Sequence, residues 1–156
     1  CIRDRTRDDK FSGQAEYDTI KQVKQAVNIP VIANGDICSP EQAEFVLKYT
    51  AADGIMIGRA PQGYPWLFRE INHYLKTGEQ LAKPSIIEFK ETMQQHLLGL
   101  HRLYGESLGI RIARKHIGWY AQKLPNGISL RKEFNQLNSA KEQLALLEAY
   151  FKTLLK

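Results

Sequence analysis

Cysteine is scarce in this chain, and long apolar runs are missing. The two cysteines, Cys1 and Cys38, form no Cys-x-x-Cys pair. That excludes a disulfide framework or a zinc ribbon and leaves two free thiols as the expectation. No apolar stretch approaches the ~18 residues that a membrane helix needs. The N-terminal stretch CIRDRTRDDK is too charged for a secretory leader. The expected compartment is therefore the cytoplasm, with no membrane partner. His73, His96, His101 and His116 show no metal-ligand spacing, so no metal is assigned. There is no Gly-x-Ser-x-Gly elbow, no P-loop and no Gly-x-Gly-x-x-Gly, which removes support for hydrolase and nucleotide-hydrolysing readings.

What is present is a globular composition, 43% hydrophobic and 25% charged, unlike a disordered tail or a collagen repeat. The chain opens on Cys rather than Met and runs at once into charged residues, so it is expected to be a piece of something longer. Charge is uneven along it. Residues 1–80 carry 10 Lys/Arg against 11 Asp/Glu, whereas residues 81–156 carry 12 against 6. The densest part, residues 99–132, sets Arg102, Arg111, Arg114, Lys115, Lys123, Arg131 and Lys132 against Glu106 alone. Such a one-sided stretch suits a polyanion, and it equally describes a solvated helix face.

The first half alternates amphipathic stretches with short apolar runs. In residues 16–28, Tyr17, Ile20, Val23 and Val27 recur at helical spacing; Pro30 then resets the chain into the strand run Val31-Ile32-Ala33, closed by Asn34-Gly35-Asp36. Ser39-Pro40-Glu41-Gln42 predicts a helix start with a capping box closed by Gln42 and with Ala43, Val46 and Leu47 inward. A second strand, Gly54-Ile55-Met56-Ile57, stops at Gly58-Arg59. A helix over 65–76 follows, with Leu67, Ile71, Tyr74 and Leu75 on one face and Gly78 as its stop. Apolar strands separated by helices imply a parallel sheet covered by helices, hence an α/β class. The strands centre on Ile32 and Met56, a spacing that suits a compact β/α repeat. With Cys1-Ile2 as the end of an earlier strand there are three β/α units. A (β/α)₈ TIM barrel needs eight, so five would precede residue 1.

The second half, 81–156, has no strand signal and reads as a C-terminal helical bundle after a 1–80 barrel portion. Ser85-Ile86-Ile87-Glu88 opens a helix with the stripe Ile86, Phe89, Met93, Leu97, Leu100 and Tyr104, ended by Gly105. Gly109 precedes a helix to about Leu124, and Pro125-Asn126-Gly127 breaks it. A short helix is predicted over 130–137, and Ser139-Ala140-Lys141-Glu142 caps a last one carrying Leu144, Leu147, Tyr150, Phe151 and Leu154.

Asn34-Gly35-Asp36 and Gly58-Arg59 both follow predicted strands, on the side where β/α barrels place their active sites. A glycine there lets a phosphate approach backbone N–H groups, and the arginine adds a charge-assisted partner. A plain turn and a helix approach account for the same residues. Trp66, in the rigid loop Pro61-Gln62-Gly63-Tyr64-Pro65-Trp66, reads as a core anchor. In the helix from 110 to 124, Ile110, Ala113, Ile117, Tyr120 and Leu124 share one side, with Arg111 and Lys115 opposite and Arg114 at the flank. A basic outward face beside Trp119 and His116 suits RNA phosphates with occasional base stacking.

Three ordered motifs now carry a resemblance: IPVIANGDI at 29–37, ADGIMIGRAPQGYPWLFREI at 52–71 and RIARKHIGWY at 111–120. The chain resembles the tRNA-dihydrouridine synthases, most closely the bacterial B type, over nearly its whole length. The resemblance implies the end of a flavin-binding (β/α)₈ barrel followed by a complete helical domain. It also implies an oxidoreductase that uses NADPH, through FMN, to reduce a D-loop uridine in tRNA. Asn34, Gly35 and Asp36 match the family's strand-seven loop that contacts FMN; Gly58 and Arg59 match its strand-eight phosphate grip. Arg111, Arg114, Lys115, Lys123, Arg131 and Lys132 are the expected tRNA contacts.

The departures matter as well. Arg3-Asp4-Arg5-Thr6 stands where the family has His-Gly-Arg-Thr, so a histidine contact to the flavin is absent. Neither Cys1 nor Cys38 matches the catalytic cysteine, which belongs with the flavin-facing lysine to the barrel's earlier half. No catalytic residue is therefore assigned here, and the chain alone is expected to lack reductase activity. A non-catalytic RNA-binding helical module with a barrel remnant is the alternative. A phosphosugar-metabolising barrel would explain Gly58-Arg59 but not the basic tail.

Overall fold

A computed structural model describes residues 1–3 and 16–155, and two compact units divide the chain between them. The first comprises Cys1–Pro61 and Pro65–Leu81; the second comprises Gln62–Tyr64 and Ala82–Lys156.

In the first unit the apolar runs form strands β1 (Ile2–Arg3), β2 (Ile32–Asn34) and β3 (Gly54–Met56), parallel and in the order β1-β2-β3. Ile2 lies opposite Ala33, Arg3 opposite Asn34 and Asn34 opposite Met56. Both strand runs were expected to begin or end one residue differently. Val31 falls outside β2 because its N–H is taken by the Asp53 carboxylate at 2.6 Å, and β3 stops at Met56 rather than Ile57. Parallel neighbours need crossovers, and helices α1 (Asp18–Ala26) and α2 (Pro40–Thr50) lie between the strands in sequence. Ile20, Ala33, Ala43, Val46 and Thr50 are fully buried. Leu47, expected inward, is only half-buried, whereas Thr50 is buried with its hydroxyl bonded to the Val46 carbonyl at 2.7 Å.

Ser39 caps α2 by accepting from the Gln42 N–H at 3.2 Å. Gln42 does not close the box on Ser39. Its Oε1 reaches one residue further back and accepts from the Cys38 N–H at 2.9 Å. Helix α3 (Leu67–Thr77) buries Leu67, Glu70 and Ile71 and ends at Gly78, whose φ of 75° is left-handed. Leu75, assigned to the same face, is 39% exposed: the buried strip ends at Ile71.

In the second unit α4 (Ile86–Ala121) opens with a complete capping box between Ser85 and Glu88 and buries Phe89, Met93, Leu97 and Leu100. Gly105, at φ 70° and ψ 174°, breaks it into two limbs, 86–104 and 106–121. Tyr104, the expected end of the stripe, is 44% exposed beside that break. The second limb starts directly after Gly105, not after Gly109. Gly109 is buried inside it, where a Cβ would lie 3.0 Å from the His101 Cα and 3.1 Å from the Leu100 carbonyl. It is a notch for close approach of the limbs, inside the helix it was expected to precede.

Helix α5 (Gly127–Phe134) starts three residues earlier than expected. Any Cβ at Gly127 would fall 1.7 Å from the Ala121 carbonyl oxygen, so the turn closes only on glycine. Helix α6 (Ala140–Leu154) carries a second complete capping box, Ser139 with Glu142. Ile117, Phe134, Leu147 and Phe151 fill the core of this unit. A polar tie crosses it: Gln143, fully buried, donates to the Ile110 carbonyl at 3.2 Å, and its Oε1 meets His101 Nε2 at 2.9 Å. An amide oxygen only accepts, so His101 carries its proton on Nε2.

Two expectations follow for stability. Ile117→Ala, which empties a site with 1% exposure, should cost about 2–5 kcal/mol in urea unfolding. At the amino ends of β2 and β3, Asp53 also holds Lys24 at 2.7 Å. That hydrogen bond and the Val31 N–H keep its carboxyl below the usual aspartate range. A depressed folded value means a contribution fully present above about pH 4, the ordinary aspartate value, and lost as pH falls through the lowered one. Acid titration of unfolding should show a steeper loss below about pH 4 in the native chain than in Asp53→Asn.

Candidate functional site

Parallel pairing sends every strand's carboxyl end to the same rim of the first unit's sheet. Asn34 ends β2 there and donates from Nδ2 to the carbonyl of Met56, its partner at the end of β3, at 2.7 Å. Gly35 is buried and its carbonyl accepts the Tyr17 hydroxyl at 2.8 Å. Asp36 follows at φ 34°, a left-handed backbone that aspartate tolerates better than most residues. From the loop after β3, Arg59 Nη2 reaches Asp36 Oδ1 at 2.9 Å. Both side chains are largely exposed, so the pair adds little to stability and serves to aim the guanidinium. Beside it, apart from its chain neighbours, no atom of the described residues lies within 4 Å of where a Gly58 Cβ would be. Among the described residues the rim thus offers a cation, a glycine with space at its Cβ position and an acceptor carboxylate within one loop pair.

The structure brings Asn34, Asp36 and Arg59 together, with Gly35 and Gly58 beside them in the same loops. Tyr17 had been read only as one apolar position of α1; its hydroxyl supports the Gly35 turn through a contact that sequence spacing does not encode. Asp4, Arg5 and Thr6, in the stretch that departs from the family's His-Gly-Arg-Thr, lie outside the described residues.

The second unit carries the basic residues. Arg111, Lys115, Lys123, Arg131 and Lys132 are exposed, and Arg131 lies over Gly118, whose Cβ position is 3.3 Å from its Nε. Arg114 is turned differently. Its Nη2 donates to the Leu137 carbonyl at 2.9 Å and to Asn138 Oδ1 at 3.1 Å, bracing the turn between α5 and α6. Its buried Nε has no partner among the described residues.

Next to this face is an aromatic chain that the sequence did not reveal as a unit. Lys115 Nζ sits 5.1 Å from the Trp119 ring centroid, and His116 meets Trp119 edge-on at 4.9 Å. His96, from the other limb of α4, meets His116 at 4.6 Å, with its Nδ1 3.2 Å from the Tyr120 hydroxyl. Burial lowers the pKa of both histidines, and for His116 the charges of His96 and Lys115 lower it further. Burial also raises that of Tyr120. Gly63 closes the arrangement. It has φ 73°, and a Cβ there would lie 2.5 Å from the Trp119 carbonyl carbon. Among the described residues no group of His, Cys, Asp and Glu could hold a metal ion, and no helix is long and apolar enough to cross a membrane.

Comparison with known proteins adds the family. The family model for dihydrouridine synthase matches residues 2–155. The tRNA-dihydrouridine synthase B of Shewanella oneidensis is 54% identical over 156 residues, covering all of this chain and 48% of the relative. That of Pseudomonas putida is 53% identical over 151 residues, covering 97% of this chain and 45% of the relative. That of Proteus vulgaris is 53% identical over 155 residues, covering 99% and 48%. The chain spans about half the length of the curated relatives it matches.

The glycine contacts generate a paired test. Gly63→Ala combines a left-handed φ with backbone overlap and should cost about 1–2 kcal/mol for the former plus about 1–3 kcal/mol for the latter. Gly78→Ala, at φ 75° with nothing within 4 Å, should cost only the backbone part, about 1–2 kcal/mol. Urea midpoints of the two variants measure the difference.

Proposed function

The chain belongs to the dihydrouridine synthase family, and on that premise we propose that it is the C-terminal portion of a tRNA-dihydrouridine synthase: the last β/α units of a TIM barrel followed by a helical tRNA-binding domain. When bound in the whole enzyme, FMN supplies the hydride chemistry, carrying reducing equivalents from NADPH to the C5=C6 bond of a D-loop uridine. The residues of this chain bind and orient rather than transfer protons.

The observation that carries the reading is the rim where Arg59 is held at 2.9 Å by Asp36, beside Gly58, whose Cβ position meets no other described residue. These donors fit a flavin mononucleotide tail. A guanidinium suits the phosphate, while an acceptor-only carboxylate suits the ribityl hydroxyls and would repel a phosphate placed on it. Arg59 would hold the phosphate and Asp36 would accept from the ribityl hydroxyls. Asn34, which gives one Nδ2 hydrogen to Met56, and Gly35 shape the loop that carries Asp36. The proton that completes the reduction comes from a residue outside these positions, since neither Cys1 nor Cys38 is assigned to that role.

Transfer RNA is the partner of the second unit, through Arg111, Lys115, Lys123, Arg131 and Lys132. Arg114 belongs to the same interface as a positioning residue, because its guanidinium holds the 137–138 turn from which Ser139 starts α6.

Two measurements on the full-length protein test the reading. Arg59→Ala should weaken flavin mononucleotide binding roughly 10- to 100-fold, the equivalent of one lost charge-assisted contact, and leave riboflavin, which lacks the phosphate, nearly unaffected. Equal effects on both would remove the phosphate grip. Arg111→Ala with Lys115→Ala should lower the slope of log K for tRNA against log salt by up to about two units at unchanged Tm. An unaltered slope would return this face to solvent.

A further inference from the structure

The outward strip of the second limb of α4 is not only basic. At about 100° per residue, Arg111, Lys115 and Trp119 stand at successive i, i+4 positions, across the helix from the buried Ile110, Ala113, Ile117 and Tyr120. An indole on that strip is not required by the core. The tryptophan that packs inside is Trp66, 8% exposed, whereas Trp119 is only partly covered.

Trp119 is nevertheless held firmly. His116 stands T-shaped to it at 4.9 Å, His96 backs His116 at 4.6 Å, and the buried Tyr120 hydroxyl stands 3.2 Å from His96 Nδ1. The absence of a Cβ at Gly63 lets the chain close onto the Trp119 backbone. A rigid ring of this kind loses little freedom when it is covered. Lys115 occupies one side of it, with its ammonium 5.1 Å from the centroid. That contact is an exposed cation–π pair, and a phosphate offers the ammonium a stronger partner.

We propose that Trp119 is a stacking platform for one unpaired nucleobase of the bound RNA, with Lys115 and Arg111 on the phosphates that flank that base. The proposal rests on the RNA-binding reading above and adds to its phosphate track a contact that depends on the base. Charge complementarity selects the occupant, since residues 81–156 carry 12 Lys/Arg against 6 Asp/Glu. The base must be unpaired because bases inside an A-form duplex have both faces covered. Stacking tolerates any base, so the site reads strandedness rather than sequence.

The test uses the intact protein and two probes, an oligoadenylate of about eight nucleotides and an abasic phosphodiester of the same length. Trp119→Leu should weaken oligoadenylate binding roughly 5- to 100-fold, with an unchanged salt slope and unchanged binding of the abasic probe. Trp119→Phe should keep most of the affinity. Equal affinity of Trp119→Leu for oligoadenylate, or an equal loss on both probes, overturns the proposal. Fluorescence gives a second readout that does not rely on removing the ring. In Trp66→Phe, which leaves Trp119 as the only indole of this segment, oligoadenylate should quench the emission and the abasic probe should not. Quenching by neither or by both also overturns it. The Arg111→Ala, Lys115→Ala double variant separates the two failures. If it loses salt slope while Trp119→Leu binds normally, only the stacking site falls; if neither variant changes binding, the RNA interface falls with it.

Discussion

Parallel pairing of β1, β2 and β3 is the constraint from which the first unit's chemistry follows. Once Asn34 is opposite Met56, the loops after β2 and β3 must leave the sheet on the same side, and residues 23 positions apart, Asp36 and Arg59, come within ion-pair distance. The other end of the same strands is used for a different purpose. There Asp53 gathers Lys24 and the Val31 N–H, joining α1 to the sheet. One end ties α1 to the sheet through Asp53, and the other brings the Arg59 guanidinium and the Asp36 carboxylate together. This division of labour is what β/α architectures impose generally, because loops at the carboxyl ends can vary without disturbing the pairing.

The second unit is organised by glycines with opposite tasks. Gly105 breaks α4 through its positive φ; Gly109, four residues on, preserves helical geometry and permits the first limb to approach. Gly127 admits the Ala121 carbonyl into the space a side chain would occupy. These contacts place α4 against α5 and α6, and the polar tie from His101 through Gln143 to Ile110 fixes their register in an otherwise apolar core. The outward strip is then free to carry charge, and the arginine nearest the flank, Arg114, is drawn inward to hold the turn before α6.

Much of the local structure was legible in the residues themselves. The boxes Ser85 with Glu88 and Ser139 with Glu142, and the stop at Gly78, depend on interactions within four residues, so spacing alone identifies them. The buried stripe of Phe89, Met93, Leu97 and Leu100 was equally visible, since a helical period needs no knowledge of the partner it meets. Where reading failed, a competing partner had intervened. Distant Asp53 took the N–H of Val31, outside the start of β2; the Cys38 N–H, one residue before the cap, drew Gln42 away from Ser39; Gly109, expected to precede a helix, lies inside it as a notch against His101.

The sequence by itself determined the alternation of apolar runs with amphipathic stretches, the concentration of positive charge after residue 80 and the motifs that mark the family. Each of these is set by residue order and by period, quantities that exist before folding. Tertiary structure alone decided which polar groups converge. The Asp36–Arg59 pair, the support of Gly35 by Tyr17, the commitment of Arg114 and the alignment of Trp119, His116, His96 and Tyr120 join residues far apart in the chain or on separate limbs. Their distances are fixed by strand register and by the depth to which helices pack, and neither is encoded in a local window of residues.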